Sequence, residues 1–241
     1  MKRTDFSGVL SCAAAILAVA ILVVGCKPQG EKNDPGSKAA DSCQQGAEAL
    51  MAEDWTRAYD RFSDAIAADQ KNVDAYYGRA AASGAMAEEH YRLAQAAATN
   101  QDQKTGEAEA KKADEFFKKS IDDCEKILEI DPDYADAYFL KGVAAQYQGA
   151  WQDGIDAFSE CVKLDPKRAE AYHRRGEIYD NIGDYMNSSV DFKKASELGY
   201  ADKKQSEDQD QNGDLEDFSD LNYDAEEVIE DEQTNSDAEE K

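Results

Sequence analysis

Proline and histidine are scarce in this chain: its 241 residues include four prolines and two histidines, and runs of β-branched residues are almost absent. Proline breaks helices and β-branched residues favour strands, so a chain poor in both points to an all-α fold. Basic charge is also short, with 27 Lys and Arg against 52 Asp and Glu, a net charge of -25. A phosphate backbone has to be met with excess Lys and Arg, which excludes nucleic acid as a partner. The two histidines, His90 and His173, lie far apart and have no Cys or His companions at metal-ligand spacing. No glycine-rich phosphate loop and no serine-elbow motif is present. These absences predict a protein that is not an enzyme and holds no cofactor.

What is present begins with an address. Lys2 and Arg3 precede a continuous apolar run over 8–25, which stops at Cys26 and gives way to polar sequence. The box "VVGC" ending at Cys26 resembles a bacterial lipoprotein signal. The resemblance implies that 1–25 is removed and that Cys26 carries lipid, placing the mature chain in the bacterial cell envelope. Lys27, a residue other than Asp after the cysteine, implies the outer membrane, facing the periplasm, where the organism has one. The alternative is an uncleaved helix, since 18 apolar residues barely cross a bilayer. Residues 26–38, with Pro28, Gly30, Pro35 and Gly36 among charged side chains, read as a flexible tether.

The stretch "DPDYADAYFLKG" (131–142) returns 34 residues later as "DPKRAEAYHRRG" (165–176). Extending both ways gives unit starts at Ala39, Val73, Ala135 and Ala169, at intervals of 34, 62 and 34. Within a unit, small and aromatic residues recur at helical spacing on either side of a turn, as in Tyr138, Gly142 and Ala145, then Gly149, then Gly154, Phe158 and Cys161. This period and pattern resemble the tetratricopeptide repeat (TPR), a helix-turn-helix unit of 34 residues. The resemblance covers 39–200 and implies a right-handed superhelical solenoid of four helix-turn-helix units. Gln70 and Tyr200 depart from it by replacing the closing proline.

The second unit is 28 residues longer than the others. Its surplus, about 87–114, is alanine-rich and helix-favouring on both sides of "TNQDQKTG" (99–106), which has the composition of a turn. An elongated helical hairpin is the expectation, each helix gaining about four turns, or roughly 20 Å. A structureless loop of that length is the alternative.

The resemblance further implies that function lies on the concave face formed by the first helix of each unit, which binds a protein or peptide ligand. The residues it places there are Tyr77, Phe139, Val143, Tyr147, His173, Glu177 and Asn181, with Cys43 and Ala47 at the poorer end. The leading expectation is a membrane-anchored scaffold or adaptor. The alternative is an accessory structural subunit of an envelope enzyme or secretion machine, contacting its partner through the hairpin arm. Cys124 and Cys161 fall in packed slots of second helices and are expected to be buried, a disulfide among Cys43, Cys124 and Cys161 being the alternative. The acidic tail, 201–241, holds 17 Asp and Glu against 3 Lys, net -14, and its composition suggests disorder. Within it Asp208, Asp210, Asn212 and Asp214 resemble the start of a calcium loop, but Ser219 stands where a bidentate Glu is required. Phe218, Leu221, Ala225, Val228 and Ile229 keep helical spacing in the same tail, fitting a cap over the last repeat or a docking peptide.

Overall fold

A computed structural model describes residues 35–200. The signal run, Cys26, the calcium-loop candidates and the acidic tail lie outside the described residues. Within them the chain forms eight helices: α1 (Pro35–Met51), α2 (Trp55–Ala68), α3 (Val73–Thr99), α4 (Gln103–Ile130), α5 (Ala135–Gln148), α6 (Trp151–Leu164), α7 (Ala169–Ile182) and α8 (Tyr185–Glu197). They pair as four antiparallel hairpins, each packed on the next. No described helix is long and apolar enough to cross a membrane.

Local chemistry sets the boundaries. Asp54, Asn72, Asp102 and Asp184 cap α2, α3, α4 and α8, each accepting from a backbone N–H three residues on. Between units, the carboxylates of Asp69, Asp131 and Asp165 accept from the N–H of Lys71, Asp133 and Lys167, two residues on. This turn forms after Asp69 without the proline that follows the other two, which explains why Gln70 is tolerated there. Gly149 and Gly183 end α5 and α7 in the left-handed region, at φ 71 and 83°.

Two boundaries differ from the sequence expectation. Helix α1 takes in 35–38, assigned above to the tether, because Pro35 occupies the first helical position, where its missing N–H costs nothing. The turn between α3 and α4 is confined to 100–102, because the Asp102 cap starts α4 at once and carries Gly106 into the helix. Helices α3 and α4 are accordingly 27 and 28 residues long, while the other six run from 13 to 17.

The core is built on a pairing of aromatic and missing side chain. Phe62, Phe158 and Phe192 occupy one register of the second helices, and a Cβ added at Gly46, Gly142 or Gly176 would stand 2.8, 2.6 or 2.9 Å from the nearest ring atom. Phe62 is also met from the following unit by Gly78, whose added Cβ would lie 2.3 Å away. In the second unit the register holds Cys124, fully buried, while the facing slot holds Ala80. A smaller side chain on one helix thus accompanies a larger one on the other, keeping the gap filled.

Candidate partner-binding groove

Burial divides the nominated groove residues. Tyr77, Phe139 and Val143 are 1%, 0% and 4% exposed, and Cys43 and Ala47 are 4% and 3% exposed. They have almost no surface to offer a ligand, so their assignment as contact residues is corrected to core. For two of them the cause is a lid supplied by the linker leading into the next unit. Tyr134 packs on Tyr77, ring centroids 5.7 Å apart. Arg168, ion-paired to Asp136, lays its guanidinium 4.0 Å from the centre of the Phe139 ring. In the last unit the same slot is His173, half-buried, stacked at 4.3 Å on Tyr200 and 5.2 Å from Phe192. The Tyr77 hydroxyl is buried with no hydrogen-bond partner, and burial, with Asp136 nearby, pushes its pKa well above the usual tyrosine range.

Tyr147 is occupied from a different direction. The arm seats its base on α5, where Phe117 stacks on Tyr147 at 5.1 Å and Tyr91 meets the same ring edge-on at 5.1 Å. Ala87 and Ala113 from the arm, with Ala144 from α5, complete a second apolar cluster. Small residues let the arm's helices approach closely here. Farther out, His90 Nδ1 lies 2.6 Å from the Glu109 carboxylate and its ring stacks on Phe116 at 5.5 Å, tying α3 to α4. His90 is therefore part of the arm's internal contacts.

Beside Tyr147 runs a polar network. The Gln146 amide donates to Glu177 at 3.0 Å, and Arg174, 7% exposed, donates to Gln146 at 3.3 Å and lies 3.7 Å from Glu170. Glu88 of the arm adds its charge to Arg174, which raises the Arg174 pKa together with Glu177 and Glu170 against the cost of burial. Burial pushes the Glu170 carboxyl up despite the pull of Arg174. Of the nominated residues, Glu177 thus belongs to this network, and Asn181 is the one that is exposed.

A contact absent from the sequence expectation joins the units. Arg79 grips Asp123 with two hydrogen bonds, 2.9 and 2.6 Å, and reaches Ser63 of the preceding unit at 3.3 Å. Arg175 repeats this on Asp191, at 2.7 and 2.8 Å, and on Ser159 at 2.9 Å. Both serine hydroxyls donate to a carbonyl of their own helix, leaving a lone pair for the guanidinium. The carboxylate bonds raise the pKa of both arginines. In the third unit the slot is Lys141, which lies 3.4 Å from Glu125 of the second. The signal was readable: Arg79 and Arg175 are both the seventh residue of their units, three after Tyr76 and Tyr172.

The arrangement of paired helices agrees with the comparisons. A tetratricopeptide-repeat family model matches residues 169–198. In structure the chain is similar to a MamA RS-1 double mutant, 20% identical, with 84% of this chain and 89% of that one covered at a TM-score of 0.50. The described domain is a tetratricopeptide-repeat solenoid. The Arabidopsis OM64 TPR domain is also similar, at 18% identity, 61% and 98% coverage and a TM-score of 0.46. In sequence, a UDP-N-acetylglucosamine–peptide N-acetylglucosaminyltransferase of Giardia intestinalis is 28% identical over 87 residues. That match takes in 36% of this chain and only 6% of the transferase. The TPR fold fits a protein-protein interaction scaffold. Its Cys43, Cys124 and Cys161 are buried, and no disulfide joins them.

Proposed function

We infer that this chain is a non-enzymatic adaptor, held in the bacterial cell envelope by lipid on Cys26, that presents its hairpin arm to a protein partner. The observation that carries the reading is the burial of Tyr77, Phe139 and Val143, which removes the apolar floor a groove ligand needs. The arm, in contrast, offers about 20 Å of helix beyond the neighbouring units. Its exposed Leu93, 48% accessible, stands among the exposed Arg92, Gln95 and Ala96. Two or three acyl chains on Cys26 would hold such a domain beside a membrane. The transferase match contributes nothing to an activity here, since it spans a small fraction of that enzyme.

The test is affinity capture from envelope extracts with the lipidated chain. Excising 87–114 rejoins the second unit at the length of the others and is expected to abolish partner recovery. Replacing Glu177 and Asn181 by Ala, on the remaining open rim of the groove, is expected to leave recovery intact. The opposite result would return the contact to the groove. Loss of the chain from the membrane fraction on Cys26→Ser checks the anchor.

A further inference from the structure

The tether and the arm leave the described domain by opposite edges. Three contacts locate the edge at which the first helices begin. Gly36 and Ala39, near the start of α1, line a small cavity with Asn72 and Asp74 at the start of α3. Tyr134, just ahead of α5, packs on Tyr77 in the second turn of α3. Arg168, just ahead of α7, pairs with Asp136 in the first turn of α5. Helices α1, α3, α5 and α7 thus begin side by side along one edge, and the chain enters from the tether there. Helix α3 then runs 27 residues, about 40 Å, before the chain reverses at 100–102. Its neighbours α5 and α7 stop after 14. Tyr91 and Phe117 hold the arm against Tyr147, the last residue but one of α5, so the tip lies beyond the far edge. From Thr99 to Lys104 every side chain is polar and exposed. Such a tip has nothing apolar to sink into a bilayer.

We propose that the arm engages a protein whose contact surface stands clear of the membrane that anchors this chain, rather than lipid or a protein buried in that membrane. The proposal rests on the reading of Cys26 as the anchor and of the arm as the contact. Residues 26–34, nine in number, separate Cys26 from the start of α1. A flexible chain of that length spans roughly 17 Å on average, less than half the length of α3. The edge carrying the helix starts is therefore kept near the headgroups. The tip, about 40 Å farther along α3, is the part of the arm with the longest outward reach. Charge opposes a pose that lies flat, because a chain of net charge -25 is repelled by an anionic headgroup layer within a Debye length. The polar tip is thus directed at a polar protein surface beyond the headgroups.

Fluorescence energy transfer on vesicles tests this geometry. The chain from Cys26 onward contains every described residue, and Cys43, Cys124 and Cys161 are buried, so it can be coupled through Cys26 to a maleimide lipid. Its orientation is then read whether or not cells acylate that cysteine. A fluorescent amino acid replaces either Lys71, exposed at the edge of helix starts, or Lys104, exposed at the tip. Transfer to a headgroup dye in vesicles of phosphatidylethanolamine and phosphatidylglycerol is expected to be several-fold lower from position 104 than from position 71. Equal transfer from both, or more from the tip, overturns the proposal. In cells, a photo-crosslinking amino acid at position 104 is expected to capture a protein that does not otherwise fractionate with the anchoring membrane. Capture of lipid, or of an integral protein of that membrane, overturns it. Capture from position 181 with none from 104 removes the arm reading, and the proposal with it.

Discussion

Single side chains carry the packing, and the missing ones matter as much as the large ones. A methyl group at Gly142 would come within 2.6 Å of Phe158, so Gly142→Ala is expected to cost about 1–3 kcal/mol in urea denaturation. Gly106 lies inside α4, and its added Cβ would meet nothing nearer than 3.5 Å. There the entropic cost of helical glycine is unopposed, and Gly106→Ala is expected to stabilise by about 0.5–1 kcal/mol. Tyr77 allows a similar contrast. Removing its partnerless hydroxyl in Tyr77→Phe should leave stability equal or raise it by about 1 kcal/mol, whereas Tyr77→Ala empties a core site at about 3–5 kcal/mol. Burial pushes the Cys161 thiol up from 9.0 to about 12. The folded chain therefore keeps this proton after the unfolded chain has lost it. Stability is fully present below the ordinary thiol range and falls as pH rises from about 9 toward about 12. Cys161→Ala is expected to flatten that part of a urea-midpoint profile.

At the scale of elements, the units are joined by clamps as well as by apolar contact. Asp191 is 3% exposed, and removing Arg175 leaves its carboxylate buried without a counter-ion. Arg175→Ala is expected to cost about 3–5 kcal/mol in chemical denaturation. The Arg61–Asp64 pair, whose side chains are 41% and 59% exposed, is solvent-screened, and Arg61→Ala should cost less than about 1 kcal/mol. Arg175→Lys should recover only part of the loss, because an ammonium cannot bond a carboxylate in the two-pronged way of a guanidinium. Helix starts at Val73, Ala135 and Ala169 were legible because capping and turn chemistry is local: Asn72, and the carboxylates of Asp131 and Asp165, mark them within a few residues. The clamps were less legible. Arg79 and Asp123 are 44 residues apart, and the inserted arm hides a register that Arg175 and Asp191 show over 16.

For the whole molecule, the position of the arm decides which surfaces of the later units are covered. Its base covers Tyr147, and Glu88 extends the network around Arg174, so excision of 87–114 is expected to leave Tyr147 more exposed. Hydrogen exchange should show this as faster exchange confined to α5 and α7, with the other units unchanged. The sequence by itself determined that the chain is helical, that it repeats with a period of 34, and that the second unit is lengthened by 28 residues. These properties follow from spacing along the chain, and spacing is present before anything folds. Only the tertiary structure decided which of the nominated aromatic residues are buried. Tyr77 and Phe139 hold the same slot as His173, on the face where a ligand was expected. Whether such a ring meets water depends on a lid carried in from elsewhere in the chain, Tyr134 over Tyr77 and Arg168 over Phe139. Burial is a property of neighbours in space, and helical periodicity within one unit does not contain it.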